Sequence, residues 1–125
     1  MTPDYCDVIA QRLREANISD VTRKLPDSTR QQEAVMVFPA EPVEQTRYFD
    51  LFASRDLMAN VLVKRESDEQ AEAEAWLVSQ TLARADLRST DGSYMVSSAE
   101  IGLPRPVAWD ESGYYVWLVN VTIHE

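Results

Sequence analysis

The clearest pattern along the chain is a strict alternation of side chains near its C-terminus. Every second position is apolar or aromatic, and the set is Tyr115, Trp117, Val119, Val121 and Ile123. A period of two places these side chains on one face of a β-strand, and a face this apolar is predicted to lie in the core. The opposite face is apolar at Val116 and Leu118 and becomes polar at Asn120, which predicts that it is only partly covered.

Two other segments have the spacing of amphipathic helices, and the first lies at the start of the chain. Thr2 suits the N-cap, Pro3 suits the first helical position and Asn17 suits the end of the helix. The predicted buried face consists of Cys6, Ile9, Leu13 and Ala16.

The second helix is predicted over residues 68–84, because Ser67 and Gln70 form a capping-box pattern just before an apolar run. Its apolar stripe consists of Ala71, Ala75, Val78, Leu82 and Ala85. Trp76 and Leu77 are expected to widen this buried face.

Shorter β-prone runs occupy much of the remaining chain. They are residues 35–38, 47–53, 60–65 and 93–101, with breaks at Pro39, Pro42, Gly102, Pro104 and Pro106. Together with the final strand, this order predicts one α+β domain over residues 1–125. Its expected architecture is a mostly antiparallel β-sheet with the two main helices packed on one face.

The composition limits the classes of partner and the cellular compartment that are expected for the protein. Acidic residues outnumber basic ones by 21 to 12, and the formal charge of -9 argues against nucleic-acid binding and against docking on an anionic membrane. The single cysteine excludes an internal disulfide, so a reducing compartment such as the cytoplasm is expected. No apolar run approaches the roughly 20 residues that span a bilayer, and the first residues lack the pattern of a signal peptide.

Side chains that carry chemistry in enzymes are few. His124, the single histidine, ends the final strand, and Cys6 lies on the apolar face of the first helix. The acidic residues that open the second helix are predicted to be solvated, and Asp110 and Glu111 are predicted to form a tight turn. We therefore predict no catalytic, cofactor-binding or metal-binding residues, and a protein that is not an enzyme.

The tryptophans divide into two groups. Trp76 and Trp117 fit the predicted core faces, whereas Trp109 lies in a proline-rich loop. Two interpretations of Trp109 stay open. It anchors a protein interface, since Trp is enriched at binding hot spots, or it packs over the edge of the sheet.

The C-terminal half has an order of elements that is typical of a known family. The strand at 60–65 leads into the helix at 68–84, and a variable hairpin region follows. The segment LPRPVAWDESGYY at 103–115 then contains a proline, a small apolar stretch and an Asp-Glu-x-Gly turn, and it leads into an aromatic strand with Asn120. In these features residues 59–125 resemble the minor capsid or tail-terminator proteins of long-tailed bacteriophages.

This resemblance implies a structural virion subunit that forms a ring, usually hexameric in the family, at the head-proximal end of the tail. Such a ring terminates tail-tube growth and joins the tail to the head. The implied partners are further copies of the chain, the tail-tube protein and the head-completion or neck proteins, assembled in the host bacterial cytoplasm. DNA would pass through the lumen without specific binding, which an acidic surface favours because it repels phosphates.

If a ring forms, its interfaces are expected in the proline-rich loops 39–46 and 103–113, since proline limits the entropy lost on docking. The candidate residues are Pro39, Pro42, Pro106, Trp109, Asp110 and Glu111. Two alternatives stay open: another neck, connector or tail-tube component of a phage, and a non-viral intracellular protein-binding module.

Overall fold

The computed structural model describes residues 3–23, 33–40, 56–109 and 113–125. The predicted strand at 47–53 lies outside these residues, as do Thr2, Pro42, Asp110 and Glu111. All structural statements below refer to the described ranges.

The described residues form two helices and six strands. In chain order the elements are α1 (Tyr5–Glu15), β1 (Val21–Thr22), β2 (Ala34–Pro39), β3 (Asp56–Arg65), α2 (Asp68–Arg84), β4 (Ser98–Ile101), β5 (Arg105–Trp109) and β6 (Tyr115–His124). The sheet has the strand order β1-β2-β3-β6-β4, and β5 also pairs with β6. Only the pairing of β1 with β2 is parallel among these, so the predicted α+β class with a mostly antiparallel sheet is confirmed.

The core lies between one face of the sheet and both helices. In the strands it contains Val35, Val37, Leu57, Ala59, Val61, Val63, Val119, Val121 and Ile123. Helix α1 adds Cys6, Val8, Ile9, Ala10 and Leu13, and α2 adds Ala75, Val78 and Leu82. Both helices therefore pack on the same face, as predicted. On β6 the predicted core face is buried from Val119 onward, whereas Trp117 is half-buried and Tyr115 is 37% exposed.

Helix α1 differs from its prediction at its N-cap and in the burial of Ala16. Its N-cap is Asp4, although the carboxylate of this residue makes no capping bond and accepts instead from the hydroxyls of Ser89 and Thr90, each at 2.6 Å. Ala16, predicted to be buried, is the exposed C-cap. Asn17 follows with a φ of 64°, a left-handed conformation that asparagine tolerates, so the predicted end of the helix is confirmed.

Helix α2 has the predicted bounds, and the Ser67 side chain accepts from the Gln70 amide at 3.4 Å. Its alanine-rich stripe is fully buried as far as Leu82. The prediction that Trp76 and Leu77 share this face is wrong, because these side chains are 41% and 47% exposed. A helix turns about 100° per residue, which carries both positions away from the stripe that includes Val78.

The outer side of β6 is shared by two short strands instead of one long one. β4 pairs with residues 121–124 of β6, and β5 pairs with residues 115–118. Between them the Gly102 amide donates to the Asn120 carbonyl at 2.8 Å. The predicted strand at 93–101 is therefore shortened to its last four residues, Ser98–Ile101.

The prediction that residues 103–113 form a loop is wrong at Pro106 and Trp109, since both belong to β5. Proline is tolerated in an edge strand because its missing N–H is not needed on the free side. The pairing with β6 shifts its register between Pro106 and Ala108, so the strand is irregular next to the proline. This strand places two of the candidate interface residues, Pro106 and Trp109, in an edge strand of the sheet.

A buried arginine fixes α2 against the sheet. Arg65, at the end of β3, is 2% exposed. Its guanidinium donates to Glu74 of α2 from Nε at 2.8 Å and again from Nη2, and to Asp20 from Nη1 at 2.9 Å. The Ser19 carbonyl accepts a further bond from Nη2 at 3.1 Å. One side chain therefore connects β3, α2 and the segment that precedes β1.

Candidate interaction surface

Large apolar side chains are exposed on α2, on β5 and on the segment that joins β4 to β5. Trp76 of α2 is 41% exposed, Leu103 between β4 and β5 is 74% exposed, and Val107 of β5 is 53% exposed. Pro106 lies beside Val107 and is exposed as well. We call these four residues the α2–β5 surface.

Two hydrogen bonds show which side of α2 faces this edge. The Trp117 indole Nε1 donates to the Asp68 carboxylate at 2.9 Å, and the Ser79 hydroxyl donates to the Gly102 carbonyl at 3.2 Å. Trp76 lies between Asp68 and Ser79 on the same side of the helix, because residues three, four and eight apart share one side. Trp76 therefore lies on the side of α2 that is hydrogen-bonded to Trp117 and Gly102.

Acidic residues border the α2–β5 surface. Asp68, Glu69 and Glu72 occupy the exposed first turns of α2, and Trp76 follows Glu72 by one turn. The negative charges also suit the positive end of the helix dipole. An apolar centre with a charged rim is the arrangement of many protein interfaces.

The sequence-based interface candidates do not form one cluster. Pro106 belongs to the α2–β5 surface, and the backbone of Trp109 pairs with Tyr115 at the end of the same strand. Pro39 is exposed at the end of β2 and pairs with Ala59. It lies two strands away from β6, in a different part of the sheet from Pro106. Pro42, Asp110 and Glu111 lie outside the described residues.

Sequence reasoning missed three residues of this surface. Trp76 was assigned to the core, and Leu103 and Val107 were not singled out. A signal for Trp76 was present, since it follows Ala75 of the buried stripe by one residue and therefore turns away from it. For Leu103 and Val107 the exposure depends on the edge position of β5, which no local pattern specifies.

The groups considered for chemistry have structural partners. Asp68 accepts from Trp117 and Glu74 accepts from Arg65. His124 contacts Asp56, with 2.8 Å between Nδ1 and Oδ1. Over the described ranges, no group of three or more His, Cys, Asp and Glu side chains is placed to hold a metal ion. The same residues contain no helix that is long and apolar enough to cross a membrane.

Cys6 is buried in the core, 3% exposed, and burial raises the pKa of its thiol to about 11. We expect its reaction with a disulfide reagent at about pH 8 to be about 100-fold slower in the native protein than in denaturant, because the thiolate is the reactive form. The absorbance of the thiolate that the reagent releases on reaction measures both rates. An exposed control, Gln80→Cys in a Cys6→Ala background, should react rapidly in both states. Equal native rates for Cys6 and for the thiol introduced in this control would contradict the packing role.

Exposed large apolar side chains such as those of Trp76, Leu103 and Val107 are typical of a protein that binds other proteins. A family model described as bacteriophage tail terminator protein matches residues 11–124 of the 125-residue chain. The chain therefore belongs to the bacteriophage tail terminator family. A search of curated proteins found no match.

This membership confirms the resemblance predicted from residues 59–125 and extends it to residue 11, so that it includes the end of α1. The family is one of structural proteins, which gives the chain a structural role in a phage tail. The α2–β5 surface, with its neighbours in β5, lies inside the matched residues.

Proposed function

We propose that this protein forms a ring, with six subunits, at the head-proximal end of the tail, where it terminates tail-tube growth and joins the tail to the head. The observation that carries the proposal is the family match over residues 11–124. The partners are further copies of the chain, the tail-tube protein and the head-completion or neck proteins. Its place is the virion, after assembly in the host bacterial cytoplasm.

The α2–β5 surface supports the ring and is proposed as one side of the contact between subunits. A closed ring needs a heterologous contact, in which a surface on one subunit meets a different surface on the next. Trp76, Pro106 and Val107 supply an exposed apolar centre of the kind that dominates binding energy. Trp109, Asp110 and Glu111 continue the same stretch of chain and are proposed to contribute. Pro39 and Pro42 are proposed for a separate contact, since Pro39 lies at a distant part of the sheet.

The charge of the chain supports passage of DNA through the ring. The formal charge is -9, and Glu69, Glu72 and Glu100 are among the exposed acidic side chains. A lumen lined with carboxylates repels DNA phosphates, so the genome moves through it without specific binding.

The proposal is tested by locating the protein and measuring its assembly. Electron microscopy of labelled virions should place it between the head and the tail tube, and native mass spectrometry of the isolated ring should give six subunits. A position along the tube, or within the neck on the head side, would replace the proposal with a different connector or tube role. A protein that is monomeric at high concentration and absent from purified virions would exclude both.

The subunit contact is tested by Trp76→Ala and Trp109→Ala. Each is expected to weaken ring assembly by about 30-fold or more, because hot-spot tryptophans contribute about 2 kcal/mol or more to binding. Leu77→Ala is the matched control for Trp76→Ala, since Leu77 has a similar exposure on a different side of α2. Sedimentation velocity measures assembly, and thermal unfolding measures the fold. If Trp76→Ala leaves assembly unchanged, or weakens it no more than Leu77→Ala does, the α2–β5 surface is not part of the subunit contact. That result would not contradict the proposed ring.

A further inference from the structure

The single histidine lies between two carboxylates that belong to different strands. His124 of β6 has its Nδ1 atom 2.8 Å from Oδ1 of Asp56 and its Nε2 atom 3.5 Å from Oε1 of Glu100. Asp56 opens β3 directly opposite His124, and Glu100 lies on β4 one diagonal step away, opposite Thr122. One ring therefore contacts both neighbours of β6 at the same end of the sheet.

The geometry favours one protonation state. A neutral imidazole has one N–H and can donate to only one of two carboxylates, whereas the imidazolium donates from both nitrogens. The hydrogen bond to Asp56 is the largest cause that raises the pKa of His124 above its ordinary value of 6.5, and Glu100 acts in the same direction. Asp56 and Glu100 are the ionisable groups that meet the ring from β3 and β4. Glu125, the next residue, accepts from the Met95 amide at 3.3 Å.

We propose that His124 is a pH-dependent brace that holds the edge strand β4 on β6 more firmly when its ring is protonated, and that loss of the proton loosens β4. The contact with Glu100 is the one that breaks, because it is the longer of the two and its carboxylate is the more exposed, 78% against 45% for Asp56. β4 is the strand that responds, since it is four residues long and, among the described residues, pairs only with β6.

Strand β4 also forms one wall of a cleft. This cleft of 450 Å³ lies between the end of α2 and β4, and its lining includes Leu82, Val96, Ala99 and Ile101. Movement of β4 away from β6 would widen the cleft and expose Val96 and Ile101, which pack against the core. The brace therefore controls access to apolar surface at the edge of the sheet.

The direction of the pH effect follows from the raised pKa. A group whose pKa is higher in the folded than in the unfolded state adds stability below the unfolded value, near 6.5, and that stability is lost as the pH rises through the folded value. β4 should therefore be held most firmly in mild acid and loosen in mild alkali.

The experiment combines a histidine titration with hydrogen exchange of the wild-type protein. Because the chain has one histidine, its ring protons give one NMR titration curve, and its midpoint should lie above 6.5. The amides of Ser97 and Gly102, which donate to the His124 and Asn120 carbonyls at 2.8 Å each, report on β4. Their protection factors should fall about 3-fold across the same midpoint, because an exposed ion pair contributes little. The amide of Val61, in the central strand β3, should keep its protection.

Two variants separate the contribution of Glu100 from that of Asp56. Glu100→Ala should give Ser97 and Gly102 low protection at every pH, while Asp56 keeps the histidine midpoint above its ordinary value. Asp56→Asn should lower that midpoint further than Glu100→Ala does. A wild-type midpoint at or below 6.5 would overturn the proposal, whatever the variants show. Protection factors at Ser97 and Gly102 that do not change across the histidine titration would overturn it as well.

Discussion

Replacing Arg65 with methionine is expected to lower the free energy of unfolding by about 3 kcal/mol, because removal of one partner leaves a buried charge without compensation. The guanidinium is 2% exposed, and its main partner, Glu74, has a side chain that is only 15% exposed. Methionine keeps most of the volume, so the loss reports on the hydrogen bonds and the charge rather than on a cavity. Urea unfolding followed by circular dichroism measures the change.

Arg88→Met is the matched control for Arg65→Met. Arg88 also pairs with a carboxylate, that of Asp86, but its side chain is 81% exposed. Exposed ion pairs contribute little, so this variant should leave the free energy of unfolding close to that of the wild-type protein. The double variant Arg65→Met with Glu74→Gln should recover part of the loss, because it removes the unpaired carboxylate. Equal effects of the two single variants would show that Arg65 is not the buried connection described above.

Leu13→Ala is expected to lower the free energy of unfolding by about 3 kcal/mol, within the range of about 2–5 kcal/mol for buried leucines, because a cavity replaces its side chain. Leu13 is 0% exposed and belongs to the core between α1 and the sheet. The change also leaves α1 with a better helix-forming residue, so loss of packing is the only destabilising term.

The same substitution at an exposed helical position separates packing from helix propensity. Leu77→Ala in α2 removes a side chain that is 47% exposed, and the expected change is within about 0.5 kcal/mol. Chemical denaturation of both variants provides the comparison. A loss at Leu77 as large as that at Leu13 would show that Leu77 is covered by a contact of the folded chain.

The parts of the fold that depend on local pattern were predictable. Helix α2 has the predicted bounds because Ser67 and the buried stripe lie within one segment. The final strand was predictable because its alternation is uninterrupted over Tyr115–His124. The side of β6 that enters the core followed from the same pattern, although Tyr115 at its start is exposed.

The parts that depend on distant contacts were not predictable. From the sequence alone, Arg65 is expected to be an exposed charged residue at the end of a strand. Its burial requires Asp20, which precedes it by 45 residues. Pro106 reads as a strand breaker, and it becomes part of a strand only because β5 lies at an edge. The exposure of Leu103 and Val107 has the same origin, so the α2–β5 surface needed the arrangement of the sheet.

The break at Gly102 also affects how the sheet can grow. A side chain there would place its Cβ 3.3 Å from the Asn120 carbonyl oxygen, a close contact, so the chain bends past β6 at its smallest residue. On this side the sheet ends in β4 and β5, which have four and five residues, and β5 contains a proline. The opposite edge of the described sheet is the two-residue strand β1. Short and interrupted edges are poor templates for the open-ended addition of strands. In the described part of the chain, both edges of the sheet therefore disfavour uncontrolled strand pairing between copies.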